Sequence, residues 1–222
     1  LAVDSADWHH VAIEAMKLAF ADTYAHVADP RSMLLGAADL LDDGYLARRA
    51  RYIDMQRAQA PAAGTPPRGG TIYLAAADAG GMMVSFIQSN YMGFGSGIVV
   101  PGYGVSLQNR GHGFSMDAAS PNVVAPGKRP FHTIIPAFLV KDGLPQMAFG
   151  VMGGNMQPQG HVQTLLRMLL ARQQPQAACD APRWKSMDGL ALEVEGTMPD
   201  AIVRELQRRG HKVMSGNDSY MD

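Results

Sequence analysis

The sequence TIYLAAADAGGMMVSFIQSNYMGFGSG, residues 71 to 97, contains two short apolar runs with a glycine-rich segment between them. The runs extend from Thr71 to Asp78 and from Met82 to Ser89, and Ala79-Gly80-Gly81 separates them. A short glycine-containing turn between two strand-like runs is typical of a β-hairpin. We therefore predict an antiparallel pair of strands whose first residue is Thr71.

Further short strands are predicted downstream of this hairpin, and two of them flank Lys141-Asp142-Gly143, which favours a second hairpin turn. These strands cover Gly97 to Val100, Gly104 to Leu107, Ile134 to Val140, Leu144 to Gly150, and a segment near Leu190 to Val194.

Helices are predicted on both sides of the strand-rich region from apolar residues at helical spacing. They cover Asp7 to Tyr24 with Asp7 as a cap, Asp43 to Gln56, Pro158 to Arg172, and Pro199 to Arg209. Such an order predicts an α+β fold in which helices pack on an antiparallel sheet. His9 and His10 lie on the first helix without metal-ligand spacing, so we interpret them as partly solvated.

Composition excludes several classes of function. Nineteen basic and 20 acidic residues give a net charge of -1, which does not favour nucleic acid or an anionic membrane as a partner. The single cysteine, Cys179, excludes an internal disulfide, and we predict no metal or other cofactor. No apolar stretch reaches the roughly 20 residues that span a bilayer. The first residue is Leu1 rather than Met, which suggests a processed product or a fragment and leaves the compartment open.

A linker precedes Thr71. Residues 60 to 70 read APAAGTPPRGG, and their three prolines and three glycines exclude a regular element. A surface linker is one interpretation. Cleavage after Gly70 is another, because it would give Thr71 a free α-amine with a pKa of about 7.7 to 8.0, able to act as the base for its own hydroxyl.

Gly153 and Gly154 lie between a predicted strand and a predicted helix. Adjacent glycines can turn two backbone N–H groups toward a substrate, and the N-terminus of the following helix adds positive partial charge. An oxyanion hole is therefore one interpretation, and a tight strand-to-helix turn is the other.

The run from Thr71 to Gly97 resembles the start of the small subunit of γ-glutamyltranspeptidases. Asn109, the stretch from Pro121-Asn122 to Pro130, and the run from Gly150 to Gly154 follow in that family's order. The first 56 residues resemble the end of the large subunit. The resemblance implies that residues 1–70 are the C-terminal part of the large subunit with a linker at about 57–70. Residues 71–222 would be the small-subunit catalytic region, shortened at its C-terminus.

This resemblance implies an N-terminal-nucleophile hydrolase fold, an αββα sandwich with two antiparallel sheets between helical layers, here as a partial chain. Thr71 would be the nucleophile released by cleavage of the Gly70–Thr71 bond. Gly153 and Gly154 would form the oxyanion hole. Ser89 takes the place of a family threonine whose hydroxyl steadies the new amino group, and no cofactor is implied.

The expected substrate-binding positions differ from the family pattern. Tyr91 replaces an asparagine, Arg110 and Gly113 replace a glutamine and an aspartate, and His132-Thr133 replace a pair of serines. Since the counter-ion of a glutamate α-ammonium is lost, we expect an acyl chain ending in a carboxylate held by Arg110. For Arg110 and His132, structural hydrogen bonds in loops remain the alternative.

The implied function is a self-cleaving amidohydrolase or acyltransferase that acts on γ-glutamyl or related acyl amides. A glutaryl-type β-lactam side-chain acylase is one alternative, and a catalytically inactive binding or scaffold protein is another. A shortened chain that folds only in part is a third. The expected partners are the small-molecule amide and the remainder of the large subunit, and homo-oligomerisation stays open.

Overall fold

The computed structural model describes residues 1–61 and 70–216. The predicted linker therefore lies largely outside the described residues, and its conformation stays a prediction. The helices are α1 Ala6–His26, α2 Ala37–Leu40, α3 Asp43–Ala50, α4 Met156–Leu165, α5 Pro175–Asp180 and α6 Asp200–Arg208. The strands are β1 Gly70–Ala77, β2 Met83–Tyr91, β3 Val99–Val100, β4 Val105–Ser106, β5 Ala137–Lys141, β6 Leu144–Phe149, β7 Trp184–Ser186, β8 Ala191–Glu195 and β9 Lys212–Gly216.

Both predicted hairpins form. β1 pairs with β2 and β5 pairs with β6, each antiparallel. Asp142 and Gly143 of the second turn both have positive φ, at 53° and 76°, as a tight hairpin turn requires. The Tyr73 ring packs directly on Gly150, where a Cβ atom would collide with it. The end of β6 is therefore held against β1, close to Thr71.

The C-terminal sheet corrects the prediction of purely antiparallel pairing. Its order is β7-β8-β9; β7 and β8 are antiparallel, whereas β8 and β9 are parallel. Only β8 is predicted from the sequence, since β7 has three residues and β9 follows a helix. Because α6 crosses over between β8 and β9, the two strands can run in the same direction.

Three helices differ from their predicted bounds. Ser5, not Asp7, caps α1, because its Oγ accepts the Trp8 N–H at 3.1 Å. Helix α3 ends at Ala50 instead of Gln56, and three-residue turns follow, with bonds such as Tyr52 N–H to Arg49 O at 3.0 Å. Helix α4 starts two residues before Pro158 and continues as a π-helical turn, Leu166–Leu170.

The core joins α1 to the C-terminal sheet and α6, through buried side chains such as Ile13, Phe20, Trp184, Leu192 and Leu206. Helix α4 docks on β7 with two glutamines one turn apart. The Gln163 amide donates to Trp184 O and accepts from Trp184 N–H, both at 2.9 Å. Gln159 bonds Ser186 in the same way. β7 is an edge strand that is buried in the core, and these side-chain bonds supply hydrogen-bond partners for its outward-facing N–H and C=O groups.

His9 and His10 are not partly solvated, contrary to the prediction, since they are 2% and 0% exposed. The side of α1 that carries them faces the core and the turn before β9. This turn contains His211, which contacts His10 and is 201 residues away from it in the sequence. Within the described parts of the chain, no helix has the length and apolar character needed to span a membrane.

Candidate active site

Thr71 lies at a β-bulge in the first hairpin. Gly70 pairs with Tyr91 and Ile72 pairs with Gln88, so two residues of β2, Ser89 and Asn90, lie opposite Thr71 alone. The Thr71 hydroxyl donates to Ser89 Oγ at 3.2 Å. Bulges redirect side chains near functional sites, and this bulge places the two predicted hydroxyl groups in contact.

Tyr91 follows directly and has a strained backbone. Its φ is 78°, a value that costs a residue with a side chain about 1 to 3 kcal/mol. Its N–H donates to Ser89 Oγ at 2.9 Å, so Ser89 accepts hydrogen bonds from both Thr71 and Tyr91. Arg110 Cζ lies 5.0 Å from the centroid of the Tyr91 ring, within cation–π range.

The turn at Gly153 and Gly154 leads directly into the start of α4. Both glycines are buried and have positive φ, at 105° and 58°. Their carbonyls accept from Met156 N–H and Gln157 N–H at 2.9 and 3.1 Å, whereas neither of their own N–H groups has an acceptor among the described residues. Two free N–H groups at the start of α4 are able to bind a developing oxyanion.

A cavity of about 340 Å³ is lined by all four side chains predicted to bind substrate, Tyr91, Arg110, His132 and Thr133. The other lining residues are Tyr24, His112, Gly113, Phe114, Ser115, Ser120, Asn122, Phe131 and Asn155. Tyr91 pairs with Gly70, and Asn155 follows Gly154. The cavity wall therefore includes an immediate neighbour of the cleavage site and one of the glycine turn.

The cavity favours an anionic ligand. Arg110 supplies a positive charge, and no Asp or Glu is among the described residues that line the cavity. Burial, and then the charges of Arg110 and Arg129, lower the pKa of His132, so this imidazole is neutral near pH 7. Its Nδ1 accepts the Ile134 N–H at 3.2 Å, which leaves Nε2–H as a donor.

Comparison with known proteins identifies the family. Residues 1–221 match the family model described as Gamma-glutamyltranspeptidase. The chain belongs to the γ-glutamyltranspeptidase family. The Glutathione hydrolase-like YwrD proenzyme of Bacillus subtilis (strain 168) is 38% identical over 216 residues, covering 94% of this chain and 40% of that relative's length. The Oxamate amidohydrolase proenzyme of Klebsiella pneumoniae is 38% identical over 217 residues, covering 95% of this chain and 40% of that relative.

Among solved structures, the cephalosporin acylase from Bacillus halodurans has a TM-score of 0.91 and 51% identity, covering 97% of this chain and 39% of that chain. The predicted N-terminal-nucleophile hydrolase fold is confirmed by this likeness within the γ-glutamyltranspeptidase family. The chain spans about 40% of the length of the curated relatives that it matches.

Several cavity residues of this family member were not predicted. Asn122 joins two loops of the cavity, because its Nδ2 donates to Gly113 O at 2.7 Å and its Oδ1 accepts the Phe131 N–H at 3.0 Å. Tyr24 lies in the upstream segment, on α1, and its hydroxyl accepts from Asn155 Nδ2 at 2.6 Å. Asn122 lies within a stretch that resembles the family, whereas the helical pattern of α1 gives no sign that Tyr24 reaches the cavity.

A second cluster of titratable groups lies where α1 packs on the turn before β9, although the spacing of these residues in the sequence gives no indication of a metal site. The cluster contains three buried residues, His10, Glu14 and His211. Each offers one atom that could bind a metal ion, and these three atoms lie within 4.8 Å of one another. The Lys17 ammonium lies among them, 2.9 Å from Glu14 Oε1 and 3.3 Å from His211 Nδ1. This ammonium already supplies the positive charge that balances the Glu14 carboxylate.

The hydrogen bonds of this cluster determine the tautomers of both histidines. His10 Nε2 lies 2.9 Å from Asp54 O, which can only accept, so His10 Nδ1 accepts from His211 Nε2–H at 2.9 Å. His211 Nδ1 then accepts from Lys17. Burial first, and then the charges of Lys17, His10 and Arg209, lower the pKa of His211 to about 3. The His211 ring is therefore held as a neutral link between Lys17 and His10.

Proposed function

We propose that the protein is a self-cleaving amidohydrolase or acyltransferase that uses Thr71 as its nucleophile. The observation that carries the proposal is the contact between the hydroxyl of Thr71, on the first strand after the linker, and the hydroxyl of Ser89 on β2. In the uncleaved chain the Thr71 nitrogen is an amide and has no basicity. Cleavage of the Gly70–Thr71 bond would convert it into an amine with a pKa of about 7.7 to 8.0.

Self-cleavage would begin when Thr71 Oγ1 attacks the carbonyl carbon of Gly70. The amide nitrogen leaves as the new α-amine, and the resulting ester is hydrolysed by water. Residues 1–70 would then be the end of the large subunit and residues 71–222 the small-subunit region. The remainder of the large subunit is the expected partner.

Contacts between the two segments would hold them together after cleavage. Asp29 is buried, and its carboxylate accepts from the side chain of Arg31 in its own segment and from the N–H of Arg129 in the other segment, the latter at 3.0 Å. These partners lower the pKa of Asp29. Lys17 and His211 make a second link of this kind.

Catalysis on an amide substrate would follow the same chemistry in two half-reactions. Thr71 Oγ1 attacks the amide carbonyl while its α-amine takes the hydroxyl proton, and Gly153 and Gly154 N–H groups bind the oxyanion. Proton transfer to the leaving amine gives an acyl-enzyme. Water, or an amine in a transferase, then releases the acyl group.

The cavity supports a substrate whose acyl chain ends in a carboxylate. Arg110 is the fixed positive charge in the wall, His132 adds an N–H donor, and Thr133 adds a hydroxyl. At an effective dielectric of 20, a carboxylate about 4 Å from a guanidinium has an attractive interaction energy of about 4 kcal/mol, and an ammonium at that distance has a repulsive one of the same size. This argument favours a glutaryl-type acyl group over a γ-glutamyl group with a free α-amine.

Intact-mass analysis of the full-length protein tests the nucleophile. Wild type is expected to divide at Gly70–Thr71, Thr71→Ala to stay intact, and Thr71→Ser to recover cleavage because it restores a hydroxyl. Cleavage of Thr71→Ala at the wild-type rate, or an uncut wild type, contradicts the proposal.

Kinetics with glutaryl and γ-glutamyl p-nitroanilides test the substrate class. A higher kcat/KM for the glutaryl compound is expected, and Arg110→Gln should remove most of that preference by raising KM. A clear preference of wild type for the γ-glutamyl compound refutes the assignment of the acyl group without affecting that of the nucleophile.

A further inference from the structure

A side-chain hydrogen bond links α1 to the turn that contains Gly153 and Gly154. Asn155 follows Gly154 and caps α4, yet its side chain makes no capping bond to that helix. Its Nδ2 instead donates to the hydroxyl of Tyr24 at 2.6 Å, across 131 residues of sequence. The orientation of the Asn155 side chain is therefore fixed by a residue of α1 and not by a residue of its own helix.

Tyr24 is held firmly enough to act as such an anchor. Its ring stacks on Phe20, with centroids 5.6 Å apart and planes at 9°. It also meets Phe131 edge to face, with centroids 5.8 Å apart. Burial raises the pKa of Tyr24 to about 12, with smaller contributions from Tyr91 and Asp188. The hydroxyl is therefore a neutral acceptor across the whole neutral pH range.

The backbone bonds of the turn transmit this restraint to the glycines. The carbonyls of Gly153 and Gly154 accept from Met156 and Gln157 N–H, so the peptide planes on either side of Asn155 belong to the first turn of α4. Left alone, adjacent glycines at φ of 105° and 58° have wide conformational freedom. Oxyanion donors contribute most when they are fixed before the reaction.

We propose that Tyr24 is a positioning residue for the reaction, which holds the Gly153–Gly154 turn in its donor geometry through Asn155. The inference rests on the proposed function and assigns a part in it to the upstream segment. Tyr24 acts on a residue of the downstream segment, so the cleaved enzyme needs α1 for the alignment of its oxyanion hole and not only for folding.

Kinetics of Tyr24→Phe in the full-length, cleaved protein test the proposal, because phenylalanine keeps the ring contacts and removes only the hydroxyl. We expect kcat for the better p-nitroanilide substrate to fall about tenfold while KM stays within about twofold. Tyr103→Phe is the matched control. Tyr103 is 83% exposed and is not among the described residues that line the cavity, so its variant should keep wild-type kinetics.

Asn155→Ala and the double variant distinguish positioning from a general loss of stability. Asn155→Ala should reproduce the loss in kcat, and adding Tyr24→Phe to it should cause little further loss, because both changes break the same bond. Unchanged kcat in Tyr24→Phe, or fully multiplicative losses in the double variant, overturns the proposal. A wild type inactive on every amide refutes the proposed function instead.

Discussion

Acidification is expected to destabilise this fold through two buried histidines, His9 and His211. Burial lowers the pKa of His9 from 6.5 to about 4, and that of His211 is lowered to about 3. Both folded-state pKa values lie below the unfolded value, so the unfolded chain binds more protons in between. The stabilisation is therefore complete above about pH 6.5 and is lost as the pH falls toward 4 and 3.

The magnitude follows from these pKa values. At pH 4.5, each histidine is almost fully protonated in the unfolded chain and mostly neutral in the folded one, a difference of about 2 to 3 kcal/mol per residue and about 5 kcal/mol together. Both side chains are buried, at 2% and 3% exposure. Since domains unfold with about 5 to 15 kcal/mol, the acid effect is large.

Urea unfolding of the full-length Thr71→Ala protein between pH 7.5 and 4.5 measures this effect on one covalent chain. His211→Gln should reduce the acid loss by about 2 to 3 kcal/mol, because glutamine stays neutral and can still bond His10 and Lys17. His26→Gln, at the last residue of α1, is the matched control.

An acid dependence that is the same in His211→Gln and in the parent protein would refute the assignment. So would an equal reduction in His26→Gln. The pKa values of Asp4 and Asp29 are lowered from 3.8 and that of Glu205 from 4.5. Because both proteins share these carboxylates, the difference between His211→Gln and its parent isolates the contribution of His211.

Three further changes have defined expected outcomes. Ser89→Ala removes the acceptor of the Thr71 hydroxyl and should slow self-cleavage about tenfold, measured as the intact fraction over time by mass spectrometry. Gly153→Ala forces a side chain onto a backbone with φ of 105°, and kcat should fall about 100-fold while KM changes little. Gln163→Ala leaves the buried backbone of Trp184 without partners and should cost about 2 to 4 kcal/mol in urea unfolding; the exposed Gln146→Ala should cost less than about 0.5 kcal/mol.

Local features of the chain were predictable because they depend on neighbouring residues. Alternating apolar runs around a glycine-rich turn define the hairpin that starts near Thr71, and adjacent glycines allow the turn before α4. Resemblance to the family predicts Tyr91, Arg110, His132 and Thr133 as binding residues, and all four line the same cavity. Their roles in binding remain predictions.

The structure alone decided which distant residues meet. His10 and His211 are 201 residues apart and pair because α1 packs against the C-terminal sheet, so histidines interpreted as partly solvated are buried. Tyr24 on α1 likewise meets Asn155 at the start of α4, 131 residues away. The parallel pairing of β8 with β9 depends on the crossover through α6. Sequence patterns record the spacing of neighbours along one element, whereas these contacts depend on how separate elements pack together, which only the folded chain specifies.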